Sequence, residues 1–220
     1  MHWVLIAIVV ALLIANAGSL GVAQMTMNAI VAIEKMDLGK PPADFDFGRT
    51  GQRPDGKWSV VDDTSATTGR AIEQGDTDRT DYRFPLAIYR SFTAKNLEAS
   101  LRFKAVEGGV DRAGGVAVRV IDADNYYVLR ANALEDNVRL YKVTQGRRVQ
   151  IAGADLKVTA NEWHTLTLKL HREHFTVSYD GRELYQASDR SIIKAGKVAL
   201  WTKADSVTRF DQIQMKVLQQ

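Results

Sequence analysis

The sequence predicts an all-β chain folded as two packed antiparallel sheets, and three observations carry that expectation. After residue 40 a dozen segments alternate apolar and polar side chains with a period of two, the mark of half-buried strands. Turn chemistry breaks them at intervals of roughly 8–12 residues, the spacing of a sandwich or barrel. No helix-period segment longer than a turn or two intervenes. The 220 residues suffice for one sizeable core, since β domains of this length are commonly single units.

The chain opens differently. Trp3 to Ala15, "WVLIAIVVALLIA", is an uncharged apolar run of signal-peptide length and short for a membrane span. "ANA" (Ala15 to Ala17) and "GVA" (Gly21 to Ala23) put small residues where a signal peptidase needs them. Residues 1–23 are therefore expected to be a signal peptide cleaved after Ala23. No Lys or Arg precedes the apolar core, so the alternative is an uncleaved anchor. Both place the domain outside the cytoplasm, periplasmic or secreted. Residues 24–40 contain "MTMNAIVAIEKM", with helix-like spacing but no cap, and are expected to be a linker or short helix. The sandwich domain is expected to span 41–220.

From there the strands follow in order: "KWSVVDD", "PLAIYRSF", "NLEASLRFKAV", "GGVAVRVID", "NYYVLRANA", "NVRLYKVTQ", "RRVQIAG", "WHTLTLKLH", "HFTVSYD", "RELYQAS", "GKVALWTKA" and "RFDQIQMKVL". Asp180-Gly181 supplies the two positive φ angles of a tight hairpin turn. Alternation sorts the faces. Val116, Val118 and Val120 share one side of a strand, with Ala117, Arg119 and Ile121 opposite. Tyr127, Leu129 and Ala131 alternate with Tyr126, Val128, Arg130 and Asn132; Val198 and Leu200 oppose Ala199, Trp201 and Lys203. Apolar rows such as Leu166, Leu168, Leu170 and Phe175, Val177, Tyr179 are expected to face the partner sheet.

Several classes of function are disfavoured. A net charge of +3 without any block of like charges gives no nucleic-acid footprint. The absence of cysteine removes disulfides, thiol catalysis and Cys-bound zinc. Glu98, Glu107, Glu135, Glu162, Glu173 and Glu183 are isolated, so no Glu-x-Asp-x-Glu run sets two carboxyls about 5–5.5 Å apart as a retaining glycanase needs. His171 and His174 span a turn and are too few for zinc. His164 is expected to pack or hydrogen-bond at a strand end. Trp58 and Trp163 are expected in the core or at its rim. Asp76, Asp78 and Asp81 crowd one loop, a donor type suited to a structural calcium. "DADN" (Asp122 to Asn125) offers a second set. The alternative is that these aspartates satisfy backbone amides in turns.

One stretch is richer than a structural pair of strands requires. In "DADNYYVLRANALEDNVRLYKV" (122 to 143) tyrosines, arginines and asparagines line the face opposite a valine-leucine stripe. With neighbours from other strands the unusual set is Arg119, Tyr126, Arg130, Asn132, Trp201 and Lys203. Two readings stay open. The set is a ligand-binding floor on one open surface, or it is a cross-strand ladder in which Arg braces Tyr and Trp with no ligand.

The segments "GGVAVRVIDADNYYVLRANALEDNVRLYKVTQGRR", "NEWHTLTLKLHREHFTVSYDGRELYQA" and "GKVALWTKADSVTRFDQIQM" resemble the bacterial 3-keto-disaccharide hydrolase family, among the concanavalin A-like and laminin G-like jelly rolls, over about Asp44 to Leu218. The resemblance implies a curved sandwich whose concave sheet offers a groove to a sugar. Trp201 and Tyr126 would supply rings, and Arg119, Arg130 and Asn132 donors. A structural calcium in such folds would add Asp211 and Asp46 to the acidic loop. No other cofactor is expected. The expected partner is a glycan or small sugar. Hydrolysis of 3-keto-disaccharides and a structural or adhesive role with a protein partner are the alternatives. Membrane contact is expected only through an uncleaved N-terminal segment.

Overall fold

The computed structural model describes residues 28–52 and 54–219. The expected signal peptide over residues 1–23 lies outside them. Among the described residues fifteen strands follow in chain order: β1 (Asn28–Ile30), β2 (Phe45–Gly51), β3 (Trp58–Asp62), β4 (Arg70–Gln74), β5 (Arg83–Ala94), β6 (Leu97–Glu107), β7 (Ala113–Asp122), β8 (Asn125–Asn132), β9 (Asn137–Thr144), β10 (Arg147–Asp155), β11 (Trp163–His171), β12 (His174–Tyr179), β13 (Arg182–Ser188), β14 (Gly196–Trp201) and β15 (Val207–Val217). The only helical turn among them is a 3-10 turn at Ile33–Lys35. No described helix is long and apolar enough to cross a membrane.

The strands form two antiparallel sheets, as the alternation predicts. One has the order β13-β12-β11-β6-β15-β4-β3, with β1 also paired to β15; the other runs β10-β9-β8-β7-β14-β5-β2. The rows read from sequence meet between them. Leu166, Leu168, Leu170, Phe175 and Val177 from the eight-stranded sheet share a core with Val116, Val118, Leu129, Val198 and Leu200 from the seven-stranded one. Removing such side chains from water, at about 25 cal/mol per Å² of apolar surface, drives the packing.

Within the expected linker 24–40, the described residues 28–40 contribute more than a tether. Ala29 pairs with Met215 in register, and Val31, Ile33 and Met36 are buried in the core. The Asp180-Gly181 turn has φ of 48° and 78°, as a two-residue hairpin of this type requires.

One face assignment fails. The pairing of β7 with β8 shifts register between Val118 and Asp122, and Arg119 takes a φ of 48°. Opposite β14 the bulge inserts one residue into the alternation, since Ala117 and Val120 pair with Ala199 and Lys197. Val120 is thereby thrown to the outer face of the seven-stranded sheet, packed with Tyr126 and Trp201, while Val116 and Val118 stay inside. Gly196 makes room for the kink: a Cβ there would lie 2.5 Å from the carbonyl carbon of Arg119.

Candidate functional site

The outer face of the seven-stranded sheet carries a second apolar cluster, separate from the core between the sheets. Phe84 and Leu86 on β5, Ala117 on β7, Tyr126 and Val128 on β8, Tyr141 and Val143 on β9, and Trp201 on β14 gather there. Period-two geometry put them on this side once their partners across the sheet were sealed inside. The rings of Phe84 and Trp201 lie 5.4 Å apart, and those of Tyr82 and Phe84 4.8 Å. The Trp201 indole N–H donates to the Tyr126 hydroxyl at 3.2 Å. The Thr50 hydroxyl donates to the Ala123 carbonyl at 2.6 Å, so at its 2.7 Å contact with Tyr126 the tyrosine is the donor. Burial pushes the Tyr126 phenol well above its ordinary pKa, despite its bonds to Thr50 and Trp201.

Arg148 on β10 lies over these rings. Its guanidinium is 4.6 Å from the centre of Phe84, 4.7 Å from Tyr141 and 5.9 Å from Trp201. Attraction to the ring faces holds a cation there. Its Nη1 is buried with no hydrogen-bond partner.

The same face turns polar toward one end. Arg130 donates to Asn137 Oδ1 at 3.1 Å, to Glu135 Oε2 at 2.7 Å and to the Tyr141 hydroxyl at 3.1 Å. Its Nε is buried and unpartnered. Asn132 donates to Asp111 Oδ1 at 3.0 Å and accepts from the Leu134 amide at 2.8 Å. Past the end of β14, Lys203 sits between Asp111 at 2.9 Å and Asp81 at 2.6 Å. Burial disfavours the Lys203 charge, but the two carboxylates outweigh it and raise the ammonium's pKa. Asp205 accepts the amides of Gly109, Val110 and Asp111 at 2.9 to 3.0 Å. That contact pins the loop carrying Asp111 against the residues beyond Trp201.

Five of the six residues singled out in the sequence thus share one face and one network: Tyr126, Arg130, Asn132, Trp201 and Lys203. Arg119 does not join them. Its Nε donates to the Lys95 carbonyl at 2.8 Å, Nη1 to Ile192 at 2.7 Å and Nη2 to Arg172 at 2.5 Å, tying the bulge to turns at the sandwich's end. The expectation of a common open surface is also corrected. Trp201, Tyr126 and Asn132 are fully buried and Arg130 is 3% exposed, because Arg148 and the loop residues close over them. The solvent-facing members are neighbours outside the set singled out in the sequence: Tyr82, and Glu135, which the sequence shows only as an isolated carboxylate. Arg148 was missed because its face depends on the register of β10 against β9, where it sits opposite Val143. The "GRR" turn before it was the available signal.

The aspartates considered for calcium have separate partners. Asp76 is ion-paired with Arg83, Asp78 accepts the Thr80 amide at 2.9 Å, and Asp81 holds Lys203. Asp211 accepts the Thr67 amide at 2.8 Å beside Arg102. In the second set, Asp122 accepts the Asp124 amide at 2.8 Å. Asp46 pairs with Arg90 and Lys197 at 3.2 and 3.5 Å. Among the described residues no three of His, Asp or Glu converge as metal ligands. His164 bridges Asp180 Oδ2 at 2.8 Å and the Thr159 carbonyl at 3.0 Å. His171 and His174 turn to different partners, the Gln219 carbonyl and the Ser188 hydroxyl. Trp58 is buried against Phe210, and Trp163 lies under Arg102 and Lys104.

Solved structures share this architecture. A carbohydrate-binding module, CBM66 from Bacillus subtilis, is similar with a TM-score of 0.60 at 19% identity, over 76% of this chain and 94% of that one. A β-glucanase from Bacillus licheniformis is similar with a TM-score of 0.55 at 11% identity, over 88% and 98%. A Bacillus subtilis protein of unknown function with a galectin-like fold gives 0.55 at 9% identity, over 79% and 91%. At these identities the likeness is one of fold. No curated protein matches the sequence. The family model for the galactocerebrosidase C-terminal lectin domain matches residues 99–218, which takes in the strands from within β6 through β15 and most of the outer-face network. The chain belongs to the galactocerebrosidase C-terminal lectin domain family.

Proposed function

We propose that the chain is an extracytoplasmic carbohydrate-binding domain that takes a glycan at the Arg148-capped face of its seven-stranded sheet. One observation carries this reading: two guanidiniums on that face, those of Arg130 and the half-buried Arg148, each keep a buried nitrogen without an acceptor. An unpaired buried donor costs about 1–3 kcal/mol, and sugar hydroxyls are acceptors that relieve it. Glu135 and Asp81, 48% and 73% exposed at the edge, add acceptors for hydroxyl protons. Burial raises the Glu135 pKa, but Arg130 overrides it, so the carboxyl stays ionised below its usual range. Membership of a lectin-domain family and the fold shared with a carbohydrate-binding module support the reading. Export rests on the apolar N-terminal run in the sequence.

Glycan-array binding of the purified chain tests it. Glu135→Gln keeps the acceptor for Arg130 and removes the charge, so binding should fall about tenfold with the fold intact. An array with no bound glycan, or binding indifferent to Glu135→Gln and Arg148→Ala, defeats the proposal.

Hydrolysis of 3-keto-disaccharides is the second reading, and Asp111 with Glu135 favours it. Burial drives the Asp111 pKa up while Arg130 drives that of Glu135 down, and carboxyls pushed apart in this way suit acid and base roles. Turnover of 3-keto-glycosides that stops in Asp111→Asn would support hydrolysis; no turnover retires it.

A further inference from the structure

We propose that a second site, the pocket at the end of the sandwich beside Arg119, binds an oxyanion carried by an acidic sugar, its carboxylate or sulfate. The pocket has a volume of about 380 Å³. It opens where the β7 bulge meets the β5–β6 turn, the β11–β12 turn and the loop before β14, and it shares no lining residue with the Arg148 face.

Charge accounting points to the ligand. Two carboxylates line the pocket, and both are engaged. Glu173 accepts from Arg190 at 2.6 Å. Asp189 pairs with Lys142 at 2.8 Å and accepts the Tyr127 hydroxyl at 2.8 Å. Three further cations line it, Arg119, Arg172 and Lys95, and none of them has an ion-pair partner among the described residues. Arg119 is the strongest case. It is 1% exposed, and its three hydrogen bonds all end on neutral backbone carbonyls. Carbonyl dipoles replace part of its hydration without cancelling its charge, and a guanidinium has five N–H donors, so two remain for a ligand. The one carboxylate whose charge reaches Arg119 is Glu173, already bonded to Arg190, so the buried guanidinium is only partly compensated, and an oxyanion in the pocket offsets the rest with a geometry its fork matches.

Two more features suit a sugar-borne anion. Asn96 accepts the Arg172 amide on its Oδ1 at 2.8 Å, which leaves its amide nitrogen as a donor. Ile193, 63% exposed, gives the lining an apolar side chain for a pyranose ring face. The positive φ of Arg119 is the kind of backbone strain that persists where surroundings over-determine it.

The full chain is titrated calorimetrically with sodium D-glucuronate, D-glucose and sodium sulfate at low salt. Glucuronate is expected to bind at least about tenfold more tightly than glucose and to weaken as salt rises. Competition by sulfate would show that the oxyanion alone suffices; failure of sulfate to compete would show that the ring contact at Ile193 is also required. Arg119→Ala removes three anchoring bonds and risks the fold, so the deciding variant is Lys95→Gln with Arg172→Gln, both at exposed positions. It should lose glucuronate binding about tenfold or more with an unchanged thermal midpoint, and should leave glycan binding at the Arg148 face intact. Equal binding of glucose and glucuronate, no binding of glucuronate, or undiminished glucuronate binding by the double variant overturns the proposal.

Discussion

Arg119 leaves the face that alternation gives it, and Arg148 supplies the cation there instead. A strict two-residue repeat sends Arg119 to the outer face with Tyr126 and Trp201, but the bulge turns it into a clamp on three carbonyls at the sandwich's end. Arg148, beside a turn, becomes the cation over the rings. Asp189 shows what one residue contributes at this scale. Burial raises its pKa, but the Lys142 ammonium and bonds from Ser191 and Tyr127 outweigh that and bring it down to about 2. A carboxyl depressed in the folded state stabilises it above the ordinary carboxylate pKa and loses that contribution as pH falls toward the folded value. Thermal midpoints followed by circular dichroism should therefore show wild type ahead of Asp189→Asn at pH 6, with the gap closing between about pH 4 and pH 2.

Two glycines separate local from tertiary demands at the level of the strand. Gly181 has a φ of 78° and nothing near a Cβ, so Gly181→Ala pays only for backbone conformation, about 1 kcal/mol. Gly196 abuts the kinked backbone of Arg119, and a Cβ would also meet the Val120 nitrogen at 2.8 Å. Gly196→Ala must shift β7, β14 or both and should cost about 2–3 kcal/mol. Urea unfolding midpoints rank the two, and the same order is expected in the loss of oxyanion binding, because only Gly196 supports the pocket. The hairpin at Asp180-Gly181 was legible in two letters. The Gly196 contact was not, since residue 119 is remote in the chain.

Across the whole molecule residues 28–40 are part of the sandwich. Ile33 is 2% exposed within the inter-sheet core, so Ile33→Ala should lower unfolding free energy by about 2–5 kcal/mol, where a tether would lose nothing. Calorimetry should still show one transition, because both sheets bury their inner rows in a single core. The sequence hid this segment for a simple reason: three residues of strand are too short to establish a period.

The alternating pattern by itself determined two antiparallel sheets, the inner rows that seal them, the tight Asp180-Gly181 turn, and the gathering of Tyr126, Arg130, Asn132 and Trp201 on one side. Those follow from a repeat that any stretch of strand displays. Only the tertiary structure decided that this side is closed under Arg148, that Arg119 leaves it for the end pocket, and that Lys203 is held by Asp81 and Asp111. Each of these depends on a bulge, a register or a loop meeting, which are set by contacts between residues far apart in the chain and leave no local period to read.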